Sequence, residues 1–279
     1  MREKCVVMSS KYVHSVFVFT LIFTIIFGTI EFSRTGQFSV TSIILNFIGG
    51  LSIGFVLGFI SSQFPFRNGI RIAVLWLALF VIQYLSNFVE YYFFSTVSVS
   101  IILSGLGEGL VVTFIEAVFI GLLFVPVKMD SSIGVEMKKF FEQRSGSSWF
   151  WRIVVASILY IPIYLAFGLI VTPLVTPYYT DPSFGLDLVI PSFEVILPLQ
   201  FVRGLIYVLV MLPFIATLKI GRKYLFVAIT LLLFIPGGFI PLLTNQMWPV
   251  LLRVFHGIEI LGDYIVFAAV IVRLLKKKD

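Results

Sequence analysis

Polar side chains recur at helical spacing inside otherwise apolar stretches of this 279-residue sequence. Residues three, four or seven positions apart lie on one face of an α-helix, so each group would present its polar atoms together. We interpret the last of the three groups below as a polar stripe at a membrane interface. The groups are His256, Glu259 and Asp263; Gln200, Arg203 and Tyr207; and Gln83, Asn87 and Glu90.

Carboxylates outnumber cations among the charged residues of these stretches. Arg203 is the single arginine or lysine deep inside a stretch, and one arginine neutralises one carboxylate, or two at most. Since like charges held close together disfavour one another, the remaining carboxylates would need protons, a cation or water. We therefore predict one cluster that binds a proton, a cation or a small solute. Its predicted members are Glu259, Asp263, Arg203, Gln200, His256, Glu108 and Glu116.

The same residues allow two other interpretations. A pair between Arg203 and a carboxylate would also join two helices, because polar side chains hold membrane helices together. His256 and Glu259 have the i, i+3 spacing of ligands in di-metal helical bundles. A complete metal site needs three or four ligands, so the pair leaves the metal content undetermined. No Gly-x-Ser-x-Gly, His-Glu-x-x-His or Walker-type motif indicates an enzyme class or a cofactor.

The composition is that of a membrane protein. Hydrophobic residues make up 59% of the chain and charged residues 12%, and the mean hydropathy is +1.07. A soluble domain has about 25% charged residues, so this chain cannot cover itself with a polar surface. Long continuous apolar runs favour helices over a barrel, since a helix satisfies its own backbone in lipid. The predicted fold class is therefore an all-α polytopic membrane protein.

Eight apolar stretches are long enough to cross a bilayer, which takes about 20 residues. The predicted transmembrane helices are 13–31, 40–62, 70–92, 100–126, 151–175, 189–217, 223–243 and 249–273.

Basic residues predict the orientation of these helices. Cytoplasmic loops are rich in lysine and arginine, and 17 of the 20 basic residues fall on one side of the predicted arrangement; the other three are Arg34, Arg203 and Arg253. Both termini are therefore predicted to be cytoplasmic, with the cluster open to the outer side. The net charge of +6 reflects this bias and the anionic lipid surface, not a nucleic-acid partner.

The two halves of the chain can be aligned, which predicts an internal duplication. We expect a first four-helix repeat at 1–127, a cytoplasmic linker at 128–148 and a second four-helix repeat at 149–279. An even number of helices per repeat gives both halves the same orientation, as in parallel-repeat transporters. The aligned segments are Asn46–Leu51 with Gln200–Leu205, Phe27–Gly28 with Phe167–Gly168, and Glu108–Gly109 with His256–Gly257, at offsets of 154, 140 and 148.

A transporter-like protein in the plasma membrane of a prokaryote is the first functional interpretation. It would bind a proton, a cation or a small solute at the outward-facing polar cluster. One alternative is a membrane-embedded enzyme acting on a lipid or peptide, with His256 and Glu259 as acid–base groups or metal ligands. Another is a scaffold subunit of a membrane complex. The lipid bilayer is the one partner that the composition identifies.

Overall fold

The computed structural model describes residues 10–126, 129 and 131–276, which form nine longer helices and one short 3-10 helix, Pro182–Phe184. The tail containing Cys5, the linker residue Lys128 and the last lysines, Lys277 and Lys278, lie outside the described residues. The helices are α1 Ser10–Thr35, α2 Val40–Gln63, α3 Asn68–Phe94, α4 Val99–Leu123, α5 Ile133–Phe141, α6 Gly146–Thr180, α7 Phe193–Thr217, α8 Arg222–Thr244 and α9 Val250–Leu275.

Each of the eight predicted apolar stretches is helical. Seven of the helices, α1–α4 and α6–α8, are long and apolar enough to cross a membrane. The chain is thus a helical, integral membrane protein by helix length and composition. The helix at the last predicted stretch, α9, has 26 residues but carries four charged side chains and is not among the seven. The described residues form no strand, only an isolated bridge between Ser95 and Leu188.

The helix ends gather on two faces. On the basic face, Arg152 at the start of α6 donates to the Leu274 carbonyl near the end of α9 (2.8 Å). Ser15 near the start of α1 donates to the Leu123 carbonyl at the end of α4 (3.1 Å). The opposite face carries the loops 36–39, 95–98, 181–192 and 245–249. The N-terminal end of α1 and the C-terminal end of α9 therefore lie on the same basic face.

The linker between the two halves of the chain contains the short helix α5. It packs against α7, and its Phe140 is buried against Trp149 at the start of α6. Lys219, just after α7, forms an ion pair with Glu136 of α5 (3.5 Å). The short helix is thus fixed to the second half of the molecule at the basic face.

Two long helices contain a π-helical turn at similar depth. In α3 the turn is Phe80–Leu85, and in α8 it is Ile235–Phe239. The two turns contact each other at the centre of the molecule. A Cβ on Gly237 would lie 2.9 Å from Ile82, so glycine permits this close approach. Pro236, Gly237 and Gly238 lie in the π turn of α8, and the helix continues to Thr244.

Glycine also allows the closest crossing of long helices. A Cβ on Gly204 of α7 would lie 2.6 Å from the Ser157 carbonyl oxygen and 2.8 Å from the Tyr160 Cβ, both on α6. In the first half, a Cβ on Gly50 of α2 would lie 3.1 Å from Thr20 of α1. Small residues let membrane helices pack closely in this way. The α6–α7 crossing sets the position of Arg203, which precedes Gly204.

Candidate binding cavity

A cavity of about 490 Å³ lies among α3, α6, α7, α8 and α9, towards the face opposite the basic one. Side chains from the middle of these helices form its inner wall, and residues near the loops form its rim. Six tyrosines and a tryptophan make much of the lining aromatic. The polar and charged side chains that line it are Gln83, Asn87, Glu90, Arg203, Thr244, Asn245, His256, Glu259 and Asp263.

Arg203 is buried at the inner wall and is already paired. Its Nη1 donates to the Glu90 carboxylate at 2.6 Å and to the Gln200 side-chain oxygen at 2.9 Å. Its Nη2 donates to the Tyr207 hydroxyl at 3.2 Å, and Tyr207 in turn shares a hydrogen bond with Tyr264 (2.9 Å). The guanidinium charge is therefore neutralised by Glu90 from α3 and oriented by residues of its own helix.

Glu259 has a different partner. Its Oε2 lies 2.8 Å from Nδ1 of His256, one turn earlier on α9. The other ring nitrogen, Nε2, lies 3.1 Å from the Tyr179 hydroxyl at the end of α6. Tyr179, His256 and Glu259 thus form a hydrogen-bonded chain along one side of the cavity.

Asp263 lines the cavity without a counter-ion. It lies one turn after Glu259 on α9 and is 2% exposed. Its Oδ1 is buried and has no hydrogen-bond partner among the described residues. The side-chain oxygen of Gln83, on the facing helix α3, is likewise unpartnered within the described part of the chain. Buried polar atoms are normally hydrogen-bonded, so these two oxygens are candidate acceptors for N–H or O–H groups of a ligand.

The cavity lining carries an excess of negative charge. Three carboxylates, Glu90, Glu259 and Asp263, face it, and Arg203 is the only arginine or lysine among the described lining residues. Arg203 neutralises Glu90, and a protonated His256 would neutralise Glu259. Asp263 remains uncompensated in either protonation state of His256. A bound positive charge or a proton would restore the balance.

The structure brings together five of the seven predicted cluster members. Arg203, His256, Glu259 and Asp263 line the cavity, and Gln200 lies buried behind it as a partner of Arg203.

Glu108 and Glu116 lie elsewhere on α4. Glu108 forms an ion pair with Arg34 of α1 at a partly exposed position. Glu116 is buried, and neither of its carboxylate oxygens has a hydrogen-bond partner in the part of the chain that the structure describes. Neither residue lines the cavity.

Glu90, Asn87 and Gln83 line the cavity but were not among the predicted cluster members. The stripe of Gln83, Asn87 and Glu90 was interpreted as interfacial, but all three side chains line the cavity. Asn87 donates to the Gly237 carbonyl in the π turn of α8 (3.0 Å), which joins the two central helices. The regular spacing of the stripe, like that of the α9 group, was the available signal.

Among the described residues, no group of three or more histidine, cysteine, aspartate or glutamate side chains could hold a metal ion. His256 and Glu259 bond to each other and to Tyr179 instead. No protein-family model, no curated protein and no solved structure matches the chain.

Proposed function

We propose that this chain is a transporter-like integral membrane protein that binds a proton, a cation or a small solute in the cavity. The observation that carries the proposal is Asp263, a buried carboxylate without a counter-ion that faces a cavity large enough for a small molecule. Ionisable residues inside a membrane protein usually mark the path of a substrate or ion. The basic face would be cytoplasmic, in the plasma membrane of a prokaryote, and the cavity would open outward.

The placement of α9 supports an eighth membrane-spanning helix. Its 26 residues extend about 39 Å, which exceeds the ~30 Å hydrocarbon core. Its start bonds to the end of α8, through Arg253 and the Leu243 carbonyl (3.3 Å), and its end lies beside the start of α6. Glu259 and Asp263 face inward, whereas Val254, Ile258 and Ile265 are exposed and apolar. With eight spans, both termini lie on the cytoplasmic side.

Recurring contacts support the proposed duplication. Arg71 at the start of α3 donates to the Gly121 carbonyl near the end of α4. Arg222 at the start of α8 donates to the Val272 carbonyl near the end of α9. Both residues of the second pair follow those of the first by 151 positions. This register differs from the offset of 148 expected from the sequence, and it makes Glu259 the counterpart of Glu108.

The first and second helices of each half repeat in the same way. Thr20 and Ser157 both bond to a carbonyl one turn earlier, and both lie beneath the glycine of the next helix, Gly50 or Gly204. Thr20 and Ser157 are 137 positions apart, and the glycines are 154 apart. The spacing of 137 between Thr20 and Ser157 differs from the offset of 140 at which the sequence alignment paired Phe27–Gly28 with Phe167–Gly168. Similar helix pairs around the two central π turns favour parallel repeats related by an axis along the membrane normal.

Charge movement in proteoliposomes tests the transport proposal. Solid-supported-membrane recordings would follow concentration jumps of protons, alkali cations, and small cationic, anionic and neutral organic solutes. We expect one class to give transient currents that saturate with concentration and disappear in Asp263→Asn. The Glu108→Gln variant, whose changed residue lies outside the cavity, should give the same currents as the wild type. Absence of current with every class, or equal currents from Asp263→Asn and the wild type, would overturn the proposal.

A further inference from the structure

We propose that the ligand of the cavity is a small organic monocation, a protonated amine or quaternary ammonium, whose charge sits between Asp263 and Glu259. This inference rests on the proposed function and specifies its substrate class. It draws on three properties of the cavity: an uncompensated charge, a size that exceeds that of a simple ion, and an aromatic wall.

The charge of the lining excludes an anion. Glu259 and Asp263 are one turn apart on the same face of α9, and both are buried. Arg203, which would otherwise attract an anion, is held at 2.6 Å from Glu90. Charges interact far more strongly in a buried site than in water, so an incoming negative group would meet net repulsion. A single positive charge would instead compensate Asp263.

The size of the cavity favours an organic ligand. Its volume of about 490 Å³ falls in the range of 300–1,000 Å³ that is typical of small-molecule sites. A metal ion would need several converging ligands, and no such group of three occurs within the described residues. The unpartnered Gln83 oxygen lies on α3, across from α9, and adds an acceptor for an N–H or O–H of the ligand.

The aromatic wall fits a positive charge of low hydration. Cations lie favourably over the faces of tyrosine and tryptophan rings, and aromatic cages recognise ammonium groups in this way. The guanidinium of Arg203 already lies 5.9 Å from the centre of the Tyr160 ring, so this wall accommodates one cation in the folded protein. The tyrosines that line the cavity are Tyr84, Tyr91, Tyr160, Tyr164, Tyr179 and Tyr264.

The loop 181–192 covers part of this wall. Val189 donates to the Phe94 carbonyl (2.9 Å), and Leu188 packs with Tyr91, Tyr179 and Trp248 at the rim. Leu188 of this loop also lines the cavity. A ligand held under this cover is shielded from water, which strengthens its attraction to the carboxylates.

Matched probes that differ mainly in charge test the inference. Choline would be compared with 3,3-dimethylbutan-1-ol, and butylammonium with butan-1-ol, in thermal unfolding of the detergent-purified protein. A ligand that binds only the folded state raises its unfolding temperature. We expect at least one of the two ammonium probes to give a saturable rise that its uncharged partner does not. In Asp263→Asn the apparent affinity should fall by about tenfold or more.

Glu116→Gln is the matched control. It also removes a buried carboxylate without a partner among the described residues, but outside the cavity. We expect it to keep the wild-type response. Asp263→Glu, which keeps the charge, should retain binding and so separates loss of the charge from misfolding. Equal responses to charged and uncharged probes, or no response to either ammonium compound, would overturn the cation class. The current recordings would then still decide whether another solute is transported.

Discussion

At the scale of single residues, the site depends on which carboxylate has a partner. Glu90 forms an ion pair with Arg203, and Glu259 is hydrogen-bonded to His256. Among the described residues, Asp263 has neither an ion-pair partner nor a hydrogen bond to its Oδ1. A buried charge without a counter-ion is destabilising. Such a residue is expected where a ligand completes the site, because activity often needs a locally strained or destabilised arrangement.

Glu90→Gln should destabilise the protein, because it leaves the Arg203 guanidinium buried without its carboxylate. We expect a loss on the order of 2 kcal/mol, less than for a fully buried pair because Glu90 is partly open to the cavity. Chemical unfolding in mixed micelles would measure the loss.

Glu108→Gln provides the control for this comparison. It breaks the exposed pair with Arg34, which should cost less than about 1 kcal/mol. Equal losses in the two variants would contradict the assignment of Arg203 to Glu90.

Residue spacing predicted part of this site. It placed His256, Glu259 and Asp263 on one face of a helix, as observed. Spacing within a helix does not identify the neighbouring helix, so Glu108 and Glu116 were grouped with the cluster although α4 packs against α3 outside the cavity. For the same reason Glu90 was left out, since its partner Arg203 lies 113 positions along the chain.

At the scale of helices, close packing at glycine positions the charged groups. The sequence predicted the helices because an apolar run of sufficient length can satisfy its backbone in lipid only as a helix. It did not predict the π turn of α3, where neither proline nor glycine occurs between Phe80 and Leu85. That turn contacts the π turn of α8, and a local sequence pattern does not encode contacts between distant segments.

Gly204→Ala should disturb the α6–α7 crossing. The added Cβ would lie 2.6 Å from a backbone oxygen, so α7 must shift, at a cost of about 1–3 kcal/mol. The shift would also displace the adjacent Arg203 from Glu90. Unfolding measurements would show the lower stability, and binding of the ammonium probe should weaken in parallel.

Gly107→Ala is the matched substitution on α4. Nothing lies within 4 Å of its added Cβ, and alanine favours a helix over glycine. This variant should be as stable as the wild type or slightly more so. A stable, fully active Gly204→Ala protein would show that the close crossing does not position Arg203.

At the scale of the whole molecule, both halves of the chain contribute to one cavity. The second half supplies Arg203, His256, Glu259 and Asp263, and the first half supplies the stripe on α3. Under the proposed duplication Glu108 would be the counterpart of Glu259 in the first half, and it is paired near the surface with Arg34. If the halves arose by duplication, only the charged residues of the second half would have acquired a role in binding, and α3 of the first half would line the opposite side of the cavity.

Thiol labelling of Ile260→Cys tests most directly whether the cavity is open to water and attracts cations. Ile260 lines the cavity, whereas Ile258 on the same helix does not line it and is 60% exposed among apolar side chains. Each cysteine would be introduced with Cys5→Ser, in liposomes, and treated with a trimethylammonium or a sulfonate methanethiosulfonate. The labelling rate with each reagent would be divided by the rate at which that reagent modifies a small free thiol in solution, so that the two reagents can be compared.

We expect Ile260→Cys to react with the cationic reagent roughly tenfold faster or more than with the anionic one, since a cleft of one charge concentrates its counter-ions. Ile258→Cys, facing lipid, should react with neither. An inert Ile260→Cys, or one that reacts faster with the sulfonate, would contradict a water-accessible cavity that attracts cations.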